Sequence, residues 1–139
     1  MPDQDALIDG LVRAGFEVMA VLNRIGSENE LSLTQLRVLA ILRDRRLRMS
    51  VLADYLGLEK STLSGLADRA EKRDLLARSP NAGDGRAVDV YLTAVGARLA
   101  ERLSGEVAAA LAPLTGALTT VEQQRLAALL DRMLATRSI

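Results

Sequence analysis

A chain of 139 residues with no Cys and no His excludes disulfides, thiolate metal sites and cysteine redox sensing, and it lacks the commonest acid–base group and zinc ligand. Eighteen Lys/Arg balance eighteen Asp/Glu, which argues against indiscriminate nucleic-acid binding and makes the distribution of charge the informative quantity. No run approaches the length of a membrane span, and the opening MPDQDALIDG is acidic and polar where a secretory signal is basic then apolar, so a soluble cytoplasmic protein is expected.

The length suits one ordinary domain with a core, or a small domain with a substantial helical extension. Hydrophobic residues make up 49%, largely Leu and Ala, and aromatics only 2% (Phe16, Tyr55 and Tyr91), which favours aliphatic helix packing. Residues 41 to 90 hold ten Lys/Arg against eight Asp/Glu, a small positive tilt in an otherwise neutral chain.

Asp5 to Arg24 carries Leu7, Ile8, Leu11, Val12, Phe16, Met19 and Ala20 near the i, i+3, i+4 pattern of an amphipathic helix, with Gly26 and Ser27 ending it. The stripe is wider than one small domain needs, so part of it is expected against another subunit; the alternative is that it only covers its own core. Ser32 and Gln35 form a predicted capping box opening a second helix that buries Leu36, Val38, Leu39, Ile41 and Leu42. RDRRLRM, Arg43 to Met49, follows as a charged loop or short edge strand, either solvated or touching phosphate.

Ser50 is the expected cap of a third helix, Val51 to Leu56, closed by a left-handed Gly57. A second helix over Glu59 to Arg73 completes a helix-turn-helix. Its Leu63, Leu66, Ala67 and Ala70 form one apolar stripe, while Lys60, Ser61, Ser64, Gly65, Asp68, Arg69 and Lys72 face away. That outer face suits a DNA groove: hydroxyls exchange hydrogen bonds with base edges and phosphates, Lys and Arg neutralise phosphates, and Gly65 permits close backbone approach. Any surface helix can carry such residues, so the context matters. Leu75 to Arg78 and Ala87 to Leu92 read as strands joined by SPNAGDGR, a hairpin connection, and helix-turn-helix followed by a hairpin is the winged-helix order. Arg86 lies at the hairpin's tip or shoulder, within reach of a minor groove.

Thr93 is the expected cap of a long helix with Val95, Leu99, Leu103, Val107, Ala110 and Leu111 along one side, kinked or interrupted by Pro113. A last helix starts at Thr119 or Thr120, with Thr120 and Gln123 as its capping box, and carries Val121, Leu126, Leu129, Leu130, Met133 and Leu134. With the first helix these form a natural dimer seam or, alternatively, a single-chain helical cap. The fold class is thus mainly α with a small β-hairpin wing, a winged helix-turn-helix plus N- and C-terminal dimerisation helices. Residues 1–30 and 94–139 would dimerise and 31–93 would bind DNA, within one structural unit.

Over about Leu7 to Met133 the chain resembles the MarR family of bacterial transcriptional regulators. The resemblance is carried by LSLTQLRVLAIL, by SVLADYLGLEKSTLSGLADRAEKRDLLAR, by the wing with Asp84-Gly85-Arg86, and by VYLTAVG. It implies a homodimer on a pseudo-palindromic site of double-stranded DNA, commonly a repressor released by a small, often anionic aromatic ligand bound between the dimer region and the DNA-binding lobe. On that resemblance Ser61, Thr62, Ser64 and Gly65 lie on base-facing turns, Arg86 is the wing arginine, and Asp84 braces the wing by holding an arginine. Lys60 and Arg69 complete the DNA-facing set. Arg13, Phe16, Met19 and Arg37 are candidate ligand-pocket residues, or else core and interface residues. Glu59 departs from the family pattern, which usually offers Ser or a similar cap there, and Gly65 replaces a larger polar reader.

Two other function classes are open to the sequence. A winged-helix protein-interaction module would fit the zero net charge, Glu59, Asp68 and Gly65. An enzyme would need a catalytic set, and no Gly-rich phosphate loop, Ser-His-Asp set, metal-ligand cluster or convergent carboxylate pair is present; Lys60-Ser61-Thr62 lacks the preceding glycines of a P-loop. No cofactor or metal is expected.

Overall fold

The structure, a computed structural model, describes residues 2–139. Helix α1 (Pro2–Glu28) leads into α2 (Leu33–Leu42), strand β1 (Leu47–Arg48), α3 (Met49–Leu56), α4 (Lys60–Lys72), β2 (Leu76–Pro80), β3 (Val88–Leu92), α5 (Ala94–Thr115) and α6 (Thr120–Leu134), with a final 3-10 turn at Ala135–Arg137. The strands form one antiparallel sheet in the order β1-β3-β2. β2 and β3 pair from Leu76 opposite Leu92 to Pro80 opposite Val88, and the short edge strand β1 sets Leu47 opposite Val90.

Three helices stop by the same device. After α1, α3 and α4 a residue takes the left-handed conformation (Glu30 at φ 56, Gly57 at φ 67, Asp74 at φ 60), and the following leucine turns inward. The N–H of Leu31 donates to Gly26 O at 2.8 Å, that of Leu58 to Ala53 O at 2.9 Å and that of Leu75 to Ala70 O at 2.9 Å, the long bond of a Schellman motif. Leu31 and Leu75 are buried, and Leu58 packs against the core.

That device explains why α1 runs through Gly26 and Ser27 instead of ending there. Gly26 is helical, and a Cβ on it would stand 2.7 Å from Leu31 O, so its role is to admit the returning chain. Other boundaries also differ from expectation. Ser50 lies inside α3, whose first residue is Met49 and whose N-cap, Arg48, makes no side-chain cap bond; the β1 pairing carries the chain straight into the helix. Thr119 and Glu122, not Thr120 and Gln123, form the capping box of α6, while Gln123 Nε2 donates to Thr115 O at 2.7 Å. Helix α5 continues through Pro113 to Thr115, because a proline this close to the end deprives few carbonyls of partners. The Ser32–Gln35 capping box and the Thr93 cap form as expected.

The core draws Leu36, Val38, Leu39 and Leu42 from α2, Leu52 from α3, Leu63 and Leu66 from α4, Leu76 and Val90 from the sheet, and Ala100 and Leu103 from α5. Val95, expected on the inner side of α5, is exposed. Helix α1 adds Ile25 near its C-terminal end, and α6 buries no residue. Among the described residues no helix is long and apolar enough to cross a membrane.

Candidate nucleic-acid interface

The Gly57 turn sets α4 across α3, with Leu63, Leu66, Ala67 and Ala70 buried beneath it. Lys60, Ser61, Thr62 and Arg69 are exposed on its outer side, and Ser64 and Gly65 are half-buried beside the wing. Glu59 is the N-cap and its side chain makes no cap bond, so the opening turn of α4 keeps free N–H groups behind an acidic side chain. A Cβ on Gly65 would meet only Arg69 Nη1, at 3.6 Å. Nothing inside the chain therefore requires glycine at this position.

The wing is built from its root. Asp89 is buried on β3, where it accepts from Asn81 Nδ2 at 2.9 Å and pairs with Arg46 Nε at 3.4 Å. A buried carboxylate needs such partners. Arg46 also donates to Ser79 Oγ at 2.7 Å and lies 4.3 Å from the centre of the Tyr91 ring. Asn81 Oδ1 in turn accepts from the N–H groups of Gly83 at 2.9 Å and Asp84 at 3.0 Å, and Asp84 Oδ1 from the N–H of Arg86 at 3.1 Å. Asp84 thus braces the backbone under Arg86, and the arginine beside its carboxylate is Arg48, at 4.0 Å. The Arg86 side chain is exposed.

The arginines of the RDRRLRM run all have partners within the chain. Arg43 donates to Ser104 Oγ at 2.7 Å and pairs with Glu101 at 3.2 Å, Arg45 pairs with Asp44 at 3.2 Å, and Arg46 holds the wing root. Arg78 on β2 turns back onto α4, bonding Glu71 Oε1 at 2.6 Å and the Asp68 carboxylate. The Glu71 bond, then the Asp68 bond, hold its guanidinium charge above the ordinary arginine range. Among the described residues Lys60, Arg69, Lys72 and Arg86 take part in no ion pair. Lys60 and Arg86 line one cleft of about 370 Å³ between α4 and the wing, with Ser64 and Arg78.

Of the four candidate ligand residues the structure brings two together. Met19 and Arg37 line a half-open apolar pocket of about 590 Å³ between α1, α2 and α5, with Leu36, Leu103 and Arg43. Arg37 also lies 5.2 Å from the centre of the Tyr55 ring. Arg13 and Phe16 lie outside that pocket: Arg13 pairs with Asp9 at 3.0 Å, and Phe16 is exposed. The sequence reading missed Arg46, Arg78, Asn81 and Asp89. A charged residue at an inward position of a strand was the available signal for Asp89, because such a group demands a partner elsewhere.

The MarR-family profile matches residues 29–87, spanning α2 to the wing tip. The HTH-type transcriptional regulator PecS of Dickeya dadantii (strain 3937) is 30% identical over 140 residues, covering 95% of this chain and 84% of PecS. Among solved structures, NadR in complex with 4-hydroxyphenylacetate matches with a TM-score of 0.75 at 26% identity, over 89% of each chain. BpsR of Bordetella bronchiseptica, whose DNA binding is regulated by 6-hydroxynicotinic acid, matches with a TM-score of 0.68 at 27% identity, over 88% of this chain and 89% of BpsR. This chain therefore belongs to the MarR family and is a winged-helix, DNA-binding transcriptional regulator.

Proposed function

We propose that the protein is a ligand-responsive repressor that binds a pseudo-palindromic operator as a homodimer. Helix α4 enters the major groove and the wing the neighbouring minor groove. The observation that carries this reading is the division of the cations. Within residues 31–93, Arg43, Arg45, Arg46, Arg48 and Arg78 pair with carboxylates of the chain, whereas Lys60, Arg69 and Arg86 are exposed on α4 and the wing tip without an ion pair among the described residues. Unspent cations on one face are what phosphate neutralisation requires.

Ser61, Thr62 and Ser64 then offer hydroxyls to base edges or phosphates, Gly65 lets the backbone approach, and Asp84 presents Arg86 to the groove. Residues 31–93 form the DNA-binding lobe; 1–30 and 94–139 supply dimerisation. Such a regulator works in the cytoplasm, with the DNA. NadR's complex with 4-hydroxyphenylacetate supports an anionic aromatic effector, and the α1–α2–α5 pocket offers apolar walls with Arg37 and Arg43 for its carboxylate. Arg13 and Phe16 enter this scheme only through the partner subunit. The effector can shift operator affinity only by its preference for one geometry of the dimer, about 5–150-fold in typical cases.

The test is selection of duplexes from a random-sequence pool, with binding of the winner measured across salt concentrations. Arg86→Ala should weaken binding by roughly tenfold and lower the log–log salt slope by about one, while sedimentation shows the same oligomer. Unchanged affinity for the selected duplex would remove the wing from the interface, and failure to enrich any duplex would remove the DNA reading altogether.

A further inference from the structure

Arg78 stands on the strand that leaves α4 and enters the wing, yet its side chain points back at α4. Nε donates to Glu71 Oε1 at 2.6 Å, Nη2 binds the Asp68 carboxylate, and Nη1 reaches Ser64 Oγ at 3.4 Å. Ser64, Asp68 and Glu71 follow one another at i, i+4 and i+7 along the side of α4 nearest the wing. The Arg78 side chain is only 23% exposed, against 57% for Asp68. The guanidinium meets these partners through three separate nitrogens spread over its plane, which the single point of a lysine ammonium does not offer.

The charge count of α4 shows what this arrangement does. From residue 59 to 72 the acidic Glu59, Asp68 and Glu71 equal the basic Lys60, Arg69 and Lys72, so the helix has no net attraction for a polyanion. Two of its three carboxylates are those that Arg78 covers. The same carboxylates keep Arg78 occupied, so it is not offered to every phosphate irrespective of sequence.

We propose that Arg78 is a positioning residue for DNA recognition: an internal counter-ion that cancels Asp68 and Glu71 so that α4 can enter the groove, and that those carboxylates hold off non-specific phosphate pairing. The inference rests on the reading of α4 as the groove helix. It assigns Arg78 no contact with DNA.

Three variants test it against the duplex selected by the wild-type protein and a scrambled duplex of the same length, with melting followed by circular dichroism. Arg78→Met uncovers two carboxylates and should weaken both affinities by about tenfold, since like charges brought together repel. Asp68→Asn with Glu71→Gln frees Arg78; it should tighten the scrambled duplex, raise its salt slope by about one and shrink the discrimination between the two duplexes. Combining all three substitutions should restore the affinity lost in R78M, because no carboxylate is left to cover. A triple variant that melts like the wild type but binds as weakly as R78M would overturn the proposal and make Arg78 a direct contact. Should the Arg78 variants not fold, unchanged scrambled-duplex binding by the Asp68/Glu71 variant overturns it alone. Lys60→Ala separates the two levels: if it leaves affinity unchanged, α4 is not in the groove and the functional reading itself fails.

Discussion

Two glycines in helices do opposite work, and the same substitution distinguishes them. Gly96, in the first turn of α5, lies under the chain that ends α4: a Cβ there would stand 2.0 Å from Leu75 O and 2.9 Å from its carbonyl carbon. Leu75 O also accepts from Thr93 N at 3.1 Å, and Thr93 Oγ1 donates to Asp74 O at 2.5 Å, so α5 cannot slide away without breaking its own cap. Gly96→Ala should cost about 3 kcal/mol, as overpacking a rigid backbone contact does, read as a fall in the denaturant midpoint. Gly65→Ala meets only the flexible end of Arg69, so it should stabilise the fold by about 1 kcal/mol through helix propensity while weakening operator binding. Stability falling at position 65, or holding at position 96, would contradict these assignments. What was legible at this scale follows from locality. Lys60, Arg69 and Arg86 could be picked out because an outer helix face and a hairpin tip are set by neighbours in sequence. Arg78 with Asp68, ten residues apart, and Arg46 with Ser79, thirty-three apart, could not, because only the folded sheet brings them together.

The elements themselves were legible where their signals are side-chain periodicity and caps, and illegible where the backbone alone decides. The α4 stripe of Leu63, Leu66, Ala67 and Ala70 is buried as its spacing required, and the two strand-like runs pair as a hairpin, each starting one residue later than its sequence signal. Helix ends fared worse. Of three identical left-handed stops only Gly57 announced itself; Glu30 and Asp74 take the same conformation despite a Cβ, and the shared mark is the leucine that follows each. The start of α6 had two threonines to choose from, and its chemistry now makes a pH prediction. Glu122 accepts from Thr119 N at 2.9 Å, and Glu122 N donates to Thr119 Oγ1 at 3.2 Å. The bond from the Thr119 backbone, then that with its side chain, lowers the Glu122 carboxyl from its ordinary 4.5. A depressed carboxyl contributes stability that is complete above that ordinary value and fades as pH falls through the lower folded one. Protection of the Thr119 amide, measured relative to its intrinsic exchange rate, should therefore fall in the wild type as pH drops below the ordinary carboxylate range, and this step should be lost in Glu122→Gln, whose amide still accepts but does not titrate. Parallel acid loss in both proteins would show that the cap is not the cause.

For the whole molecule, the decisive fact is a helix with an apolar stripe and no buried residue. α6 is fifteen residues long and buries none of them, and isolated helices of about 12–15 residues are marginal in water. Its Leu126, Leu129, Leu130 and Met133 nevertheless recur at i, i+3, i+4 and i+7, all exposed, and α1 leaves Leu7, Ile8, Leu11, Val12 and Phe16 exposed as well. Two uncovered apolar faces at the two ends of one chain match a seam closed by a second copy of the chain. The proposed dimer would also bear on DNA affinity: two recognition helices on half-sites about one helical turn apart would turn the second binding event into an intramolecular one, worth roughly 10²–10⁴ in affinity. Replacing Leu129 and Leu130 with Asp should therefore give a monomer by sedimentation equilibrium, unfold α6 as judged by lost helicity, and reduce affinity for the selected duplex by about a hundredfold or more while leaving α2 to β3 folded. A variant that stays dimeric would place the seam elsewhere, and a monomer that keeps wild-type affinity would mean that each chain reads its DNA alone.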